Sequence, residues 1–172
     1  MAGCAAGAAG RGLTPGSALE PLDAVGARIH ALGARIDAPE NLLPTLGRTE
    51  DFARPHIEVD ARYHWVVVER GEELERRSTD DLDQLLYWTF ESACFSMACS
   101  YELHHRAPGQ DTRRIMFARQ CALLGALAPA WAHACAASHA AVLAEHPFTD
   151  GLDLVPPTAR PSILARLFRS RP

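Results

Sequence analysis

The chain has 172 residues, of which 48% are hydrophobic and 22% are charged, and such values predict one globular core. All 17 basic residues are arginines, and residues 19–155 hold 12 of them against 21 acidic residues, which leaves nine negative charges in excess. An acidic surface repels the phosphate backbone, so nucleic-acid binding is not expected. No stretch reaches the roughly 18 uninterrupted apolar residues of a membrane span, so membrane insertion is not expected either.

The cysteines form no CxxC pair, and most of them lie in apolar segments with helical periodicity. An odd number of cysteines without metal-ligand spacing argues against a disulfide framework and favours reduced thiols in a cytoplasmic protein. These residues are Cys4, Cys94, Cys99, Cys121 and Cys135.

The chain begins with a segment that is expected to be disordered. Residues 1–18 are small and glycine-rich, and they have too few apolar side chains to offset the entropy of ordering. From Leu22 to Ile36, apolar residues then recur at steps of three and four, which predicts a first helix that ends near Pro39. A loop is predicted from there to about Arg54.

Three short segments with strand character follow the loop. Residues 56–60 alternate between polar and apolar, residues 63–69 are β-branched and aromatic, and Arg70 and Gly71 indicate a turn. Residues 72–77 are mostly charged, as is typical of an edge strand. The pattern predicts a three-stranded antiparallel meander.

Helices fill the rest of the predicted domain. Ser78 or Thr79 is the expected N-cap of a long central helix, which carries Leu86 and Trp88 into the core and ends at residues 107–109. Two further helices are predicted over about 110–127 and 129–145. The fold is therefore predicted to be α+β, with one domain over residues 19–150 and a weakly structured tail rich in proline and arginine over residues 151–172.

The search for catalytic and metal-binding residues finds one weak candidate. Glu102, His104 and His105, with help from His64, offer zinc-ligand chemistry, but adjacent helical residues diverge by about 100° and cannot both face one ion. HExxH, GxSxG and glycine-rich phosphate-loop motifs are all missing. We therefore predict no catalytic residues, no metal site and no cofactor.

Charged residues form two groups. The first is an expected network of structural ion pairs, because arginine suits bidentate pairing with carboxylates; it consists of Glu69, Arg70, Glu102, Arg106, Asp111, Arg113 and Arg114. The second is an acidic segment, the first candidate for partner binding, although an edge strand and a helix start would have the same composition; it consists of Glu72, Glu73, Glu75, Asp80, Asp81 and Asp83.

Four segments in this order and spacing resemble the immunity protein 63 family of bacterial polymorphic toxin systems. They are residues 63–71, 83–88, 101–106 and 110–114, and the resemblance covers roughly residues 22–150. It implies a cytoplasmic antitoxin that binds and neutralises a cognate toxin without a cofactor.

The partner of such an antitoxin is a protein, and a basic toxin would suit the acidic balance. Self-association into a homo-oligomer is compatible with the sequence. Two other functions stay open: a structural or regulatory module that dimerises through its helices, and a small hydrolase whose site no motif identifies.

Overall fold

The computed structural model describes residues 19–151. The predicted leader, and all but the first residue of the predicted tail, lie outside the described residues. The described chain forms four helices, α1 (Leu22–Arg35), α2 (Leu82–His105), α3 (Thr112–Leu127) and α4 (Pro129–Glu145), and four strands, β1 (Thr45–Leu46), β2 (Phe52–Val59), β3 (Tyr63–Glu69) and β4 (Glu72–Thr79). A 3-10 turn covers Glu40–Leu42. None of these helices has both the length and the apolar composition needed to cross a bilayer.

The sheet has the order β1-β2-β3-β4, with β1 parallel to β2 and the other pairs antiparallel. The α+β prediction is confirmed, but the sheet is four-stranded and mixed, whereas three antiparallel strands were predicted. The additional strand lies in the predicted loop, where Thr45 and Leu46 pair with His56 and Ile57. A strand of two residues is too short to show the alternation of polar and apolar residues that identifies a strand in a sequence. Its pairing depends on the partner strand β2.

The turn between β3 and β4 is the one that the sequence predicts. Arg70 and Gly71 both have positive φ, 54° and 77°, as the two central residues of a type I′ hairpin turn require. The Gly71 amide donates to Asp51 Oδ1 at 2.7 Å. This turn sets the start of the β3–β4 register, with Glu69 opposite Glu72.

The long central helix begins later than predicted. Asp81 is the N-cap and accepts a hydrogen bond from the Asp83 amide at 2.9 Å. Ser78 and Thr79, the predicted caps, are the last residues of β4, where they pair with His64 and Tyr63. The predicted N-cap is wrong because strand pairing continues through these two residues, beyond the charged stretch of β4.

The hydrophobic core lies between the helices and one face of the sheet. Its fully buried centre includes Ile57, Leu85, Phe90 and Leu124, and α2 supplies the most members, as expected of a central helix. Leu86 is buried at 7% exposure, as predicted. Trp88 is different, because it packs against the core only in part.

Candidate partner-binding site

A groove of about 440 Å³ lies where β3 and β4 meet helices α2, α3 and α4. We call this feature the groove, and its lining consists of Trp65, Arg77, Trp88, Glu91, Ser92, Phe95, Phe117, Gln120, His139 and Val142. Helix α2 supplies four of these residues at positions 88, 91, 92 and 95, because residues three and four apart share one face of a helix. The groove is thus built on regular elements that hold its side chains in place.

Arg77 is held at the edge of the groove between two tryptophans. Strand register places it opposite Trp65, and its guanidinium carbon lies 5.0 Å from the Trp65 ring centroid and 5.9 Å from that of Trp88. Its Nε donates to Glu75 at 2.6 Å, and its Nη1 lies 3.5 Å from Glu91 Oε2. A guanidinium over aromatic faces gains cation–π attraction, and these contacts together favour this orientation of Arg77.

Large apolar side chains of the groove remain accessible. Phe95 is 44% exposed and Val142 is 42% exposed, and Trp88 is only partly covered. Helix α2 is therefore accessible at Phe95 and Trp88, while the sheet and α3 contact it on other sides. Exposed aromatic residues beside an arginine are typical of the residues that contribute most to protein–protein binding.

Glu91 is the one carboxylate that lines the groove within the described chain. It accepts a hydrogen bond from the Tyr87 hydroxyl at 3.1 Å, and burial together with this charge raises the pKa of Tyr87. The other carboxylate oxygen of Glu91 lies 3.5 Å from the Arg77 guanidinium.

The acidic segment does not form one surface. A bulge in β4 leaves Leu74 without a partner, so that Glu75 opposes Val67 while Glu73 opposes Val68. Because side chains alternate between the faces of a sheet, Glu75 and Glu73 point to opposite faces. Glu75 lies on the groove side and bonds Arg77, whereas Glu73 bonds Arg76 on the other face. Glu72, opposite Glu69, shares the face of Glu75.

The three aspartates of the same segment lie at the opposite end of β4. Asp80 is 2.7 Å from the Arg62 guanidinium, and Asp81 caps α2. Asp83 accepts a hydrogen bond from the Trp131 indole at 3.2 Å. Each of them thus has a structural contact, and they lie apart from the groove.

The residues considered for an ion-pair network lie in three separate places, and in one of them the Asp111 amide joins two pairs by donating to Asp150 at 2.9 Å. Glu102, at 7% exposure, pairs with Arg106 at 2.7 Å, and Asp111 pairs with Arg113 at 2.7 Å. Arg114 binds Asp150 at 2.6 Å, while Glu69 and Arg70 are 4.0 Å apart. The side chains considered as metal ligands do not face one another. His64 forms hydrogen bonds with Asp60 and Ser78 on the sheet, and Nδ1 of His104 and of His105 is hydrogen-bonded to a backbone carbonyl of α2.

Asp111 joins the start of α3 to the segment after α4. It accepts hydrogen bonds from the Arg113 amide and guanidinium and from the Thr149 amide. The Arg113 bond is the main reason why the pKa of Asp111 lies well below its usual range. A depressed pKa means that the folded state keeps the carboxylate charged at a pH where the unfolded chain protonates it.

We expect the stabilising effect of Asp111 to be present above about pH 4, the unfolded pKa of aspartate, and to fade as the pH falls further. Asp111→Asn should lower the melting temperature at pH 7, and the gap to the wild type should narrow steadily between pH 4 and pH 2. Asp23→Asn, at an exposed site in the first turn of α1, is the control. A difference in melting temperature between the wild type and Asp111→Asn that stays constant with pH would contradict this role.

Sequence reasoning missed one convergence of side chains. Ligand-type atoms of Cys121, Cys135 and His139 all lie within 4.8 Å of one another. Cys135 and His139 are four residues apart on α4, a spacing visible in the sequence, but Cys121 belongs to α3. Only the packing of the two helices brings it to the other two.

Comparison with known proteins gives one match. Residues 60–141 match the family model described as Immunity protein 63, which confirms the resemblance read from the sequence motifs. The matched segment runs from the β2–β3 turn into α4 and contains every groove residue except Val142. Neither the search of curated proteins nor that of solved structures finds a match.

Proposed function

We propose that this chain, whose residues 60–141 belong to the immunity protein 63 family, is a bacterial immunity protein that binds a cognate toxin in the cytoplasm and neutralises it by contact alone. The observation that carries the proposal is the groove, where Phe95 is exposed and Arg77 and Trp88 are partly exposed, all inside the matched segment. The proposed function requires no reaction and no cofactor.

The groove has the features of a binding centre. Tryptophan and arginine dominate the residues whose truncation weakens protein complexes most, and here an arginine is fixed between two tryptophans. Side chains that are ordered before binding lose less entropy when the complex forms. An interface of roughly 1,200–2,000 Å² in total extends beyond the groove, and its nearest extensions are the exposed outer edge of β4 and the exposed part of α4.

Charge favours a basic partner. Residues 19–155 carry nine more acidic than basic residues, and Glu72 and Glu75 lie on the groove side of β4. Toxins that act on nucleic acid need a basic surface to hold phosphates, and an acidic binder attracts such a surface. A toxin segment with an apolar side chain for the groove and a basic side chain for its acidic rim would fit. Covering that toxin surface would block the substrate.

The bulge in β4 offers a matched test of this surface. Glu73 and Glu75 lie two residues apart, each bonds one arginine, and their side chains are 44% and 45% exposed, yet they point to opposite faces of the sheet. Glu75→Arg is expected to slow association with the toxin by roughly three- to tenfold at low salt. Glu73→Arg, which changes the net charge equally, should have a much smaller effect.

The measurement is binding kinetics, at low and high salt, against the toxin encoded beside this gene, with growth rescue of toxin-producing cells in parallel. High salt should reduce the difference between the two variants, because it screens exposed charges. Circular dichroism confirms that each variant is folded. Equal effects of the two reversals would exclude the groove side of β4, and a wild-type chain that neither binds the toxin nor rescues growth would contradict the proposed function itself.

A further inference from the structure

Helices α3 and α4 bring two thiols and one imidazole together. The Sγ atoms of Cys121 and Cys135 are 3.5 Å apart. His139 Nδ1 lies 3.6 Å from Cys121 Sγ and 3.8 Å from Cys135 Sγ, and Cys135 Sγ is also 3.6 Å from Nε2. Cys135 is buried, whereas Cys121 and His139 are partly exposed.

These distances are close to the edges of a tetrahedral metal site. Zinc binds thiolate sulfur at about 2.3 Å and imidazole nitrogen at about 2.0–2.1 Å. Tetrahedral angles then place two sulfurs about 3.8 Å apart and each sulfur about 3.6 Å from the nitrogen. The sulfur–sulfur and sulfur–Nδ1 distances therefore differ from those of a tetrahedral site by only a few tenths of an ångström. Cys135 Sγ lies as close to Nε2 as to Nδ1, so the imidazole must turn to point its Nδ1 lone pair at the ion.

Gln120 orients the imidazole for this role. Its Nε2 donates to the Glu91 carbonyl at 3.0 Å, so its Oε1 faces His139 Nε2 at 2.9 Å. An amide oxygen can only accept, so Nε2 must carry the proton, and in the neutral ring Nδ1 then holds the lone pair. A histidine that ligates through one nitrogen and donates from the other to a fixed oxygen is the usual arrangement in metal sites.

We propose that Cys121 Sγ, Cys135 Sγ and His139 Nδ1 bind one zinc ion, clasping α3 to α4. Two sulfurs and one nitrogen are a donor set that suits zinc. The fourth position falls to water from the adjoining cavity of about 390 Å³, which Cys121 and His139 line together with Phe117 and Phe148.

Binding releases protons. Each thiol loses its proton as its sulfur bonds to the ion, so one zinc and two thiols give one complex and two protons. The ion therefore competes with protons for both sulfurs. The apparent affinity should therefore rise with pH between 6 and 8.

Cobalt(II) is the probe, because a tetrahedral sulfur-ligated ion absorbs strongly in the visible and near ultraviolet. The full chain, reduced and freed of metal, is titrated with cobalt and then with zinc. We expect one cobalt per chain with the tetrahedral spectrum, displacement by one equivalent of zinc, and release of two protons. At a zinc concentration about 100 times the Kd, the melting temperature should rise by roughly 5–10 °C.

Cys121→Ser and His139→Gln should each weaken binding by at least about tenfold and remove the zinc-dependent rise in melting temperature. Cys99→Ser is the matched control, since Cys99 is a partly buried free thiol on α2 outside the cluster, and it should bind as the wild type does. Absence of the tetrahedral spectrum in the wild type would overturn the proposal. So would equal binding by the wild type and both ligand variants, or an equal loss in Cys99→Ser.

Discussion

Replacing Trp131 with alanine is expected to lower the free energy of unfolding by about 3–5 kcal/mol, the loss typical of a large buried aromatic residue. Trp131 is 4% exposed, and its ring stacks on Phe90 with centroids 6.0 Å apart. Its indole nitrogen donates to Asp83 at 3.2 Å. The substitution removes the contact between the first turn of α4 and α2 and leaves a cavity beside Phe90.

Urea unfolding followed by circular dichroism measures this loss. The control is Trp88→Ala, which removes the same kind of side chain from a partly exposed site of α2. It should lower the free energy of unfolding by only about 1–2 kcal/mol, because folding buries less of the Trp88 surface. The comparison separates the buried tryptophan from the groove tryptophan. Equal losses in the two variants would contradict the burial described for them.

The same Trp88→Ala change is expected to weaken toxin binding by about 30-fold or more, which corresponds to about 2 kcal/mol. Trp88 is the largest accessible apolar side chain of the groove, and its ring holds one side of the Arg77 guanidinium. Truncation removes apolar contact area and frees Arg77 to adopt other orientations. Most of the change should appear in a faster dissociation rate.

Surface plasmon resonance or a comparable kinetic method measures this effect at a temperature where the variant is fully folded. Phe52→Ala is the control, because Phe52 is 86% exposed at the start of β2 and lies outside both the groove and the family match. It should bind the toxin as the wild type does. A Trp88→Ala variant with unchanged affinity would move the partner site away from the groove, and sedimentation of the free chain would then show whether the groove is buried between two copies.

Much of the fold follows from patterns that are local in sequence. The stripe from Leu22 to Ile36 predicts α1, and Pro129 marks the first turn of α4, as the structure shows. Arg70 and Gly71 predict the hairpin turn because glycine tolerates positive φ at low cost. Such features need only neighbours a few residues away, so composition and spacing are enough to predict them.

The candidate site could be predicted only in part. Family resemblance and acidic composition pointed to a protein partner, and Glu72, Glu73 and Glu75 were selected as one group. The bulge at Leu74 divides that group between two faces of the sheet. A bulge depends on how two strands align along their whole length, so the charge pattern of β4 alone cannot reveal it.

What the sequence determined by itself is therefore the class of fold, most of its helices, the β3–β4 hairpin and the acidic character. Tertiary structure alone decided the parallel pairing of Thr45 and Leu46, the position of Arg77 beside Trp65 and Trp88, and the meeting of Cys121 with Cys135 and His139. Each of these joins residues from different elements. Their contacts depend on how whole helices and strands pack. Hydrophobic burial drives that packing but is non-directional, so no short segment of sequence specifies the individual contacts.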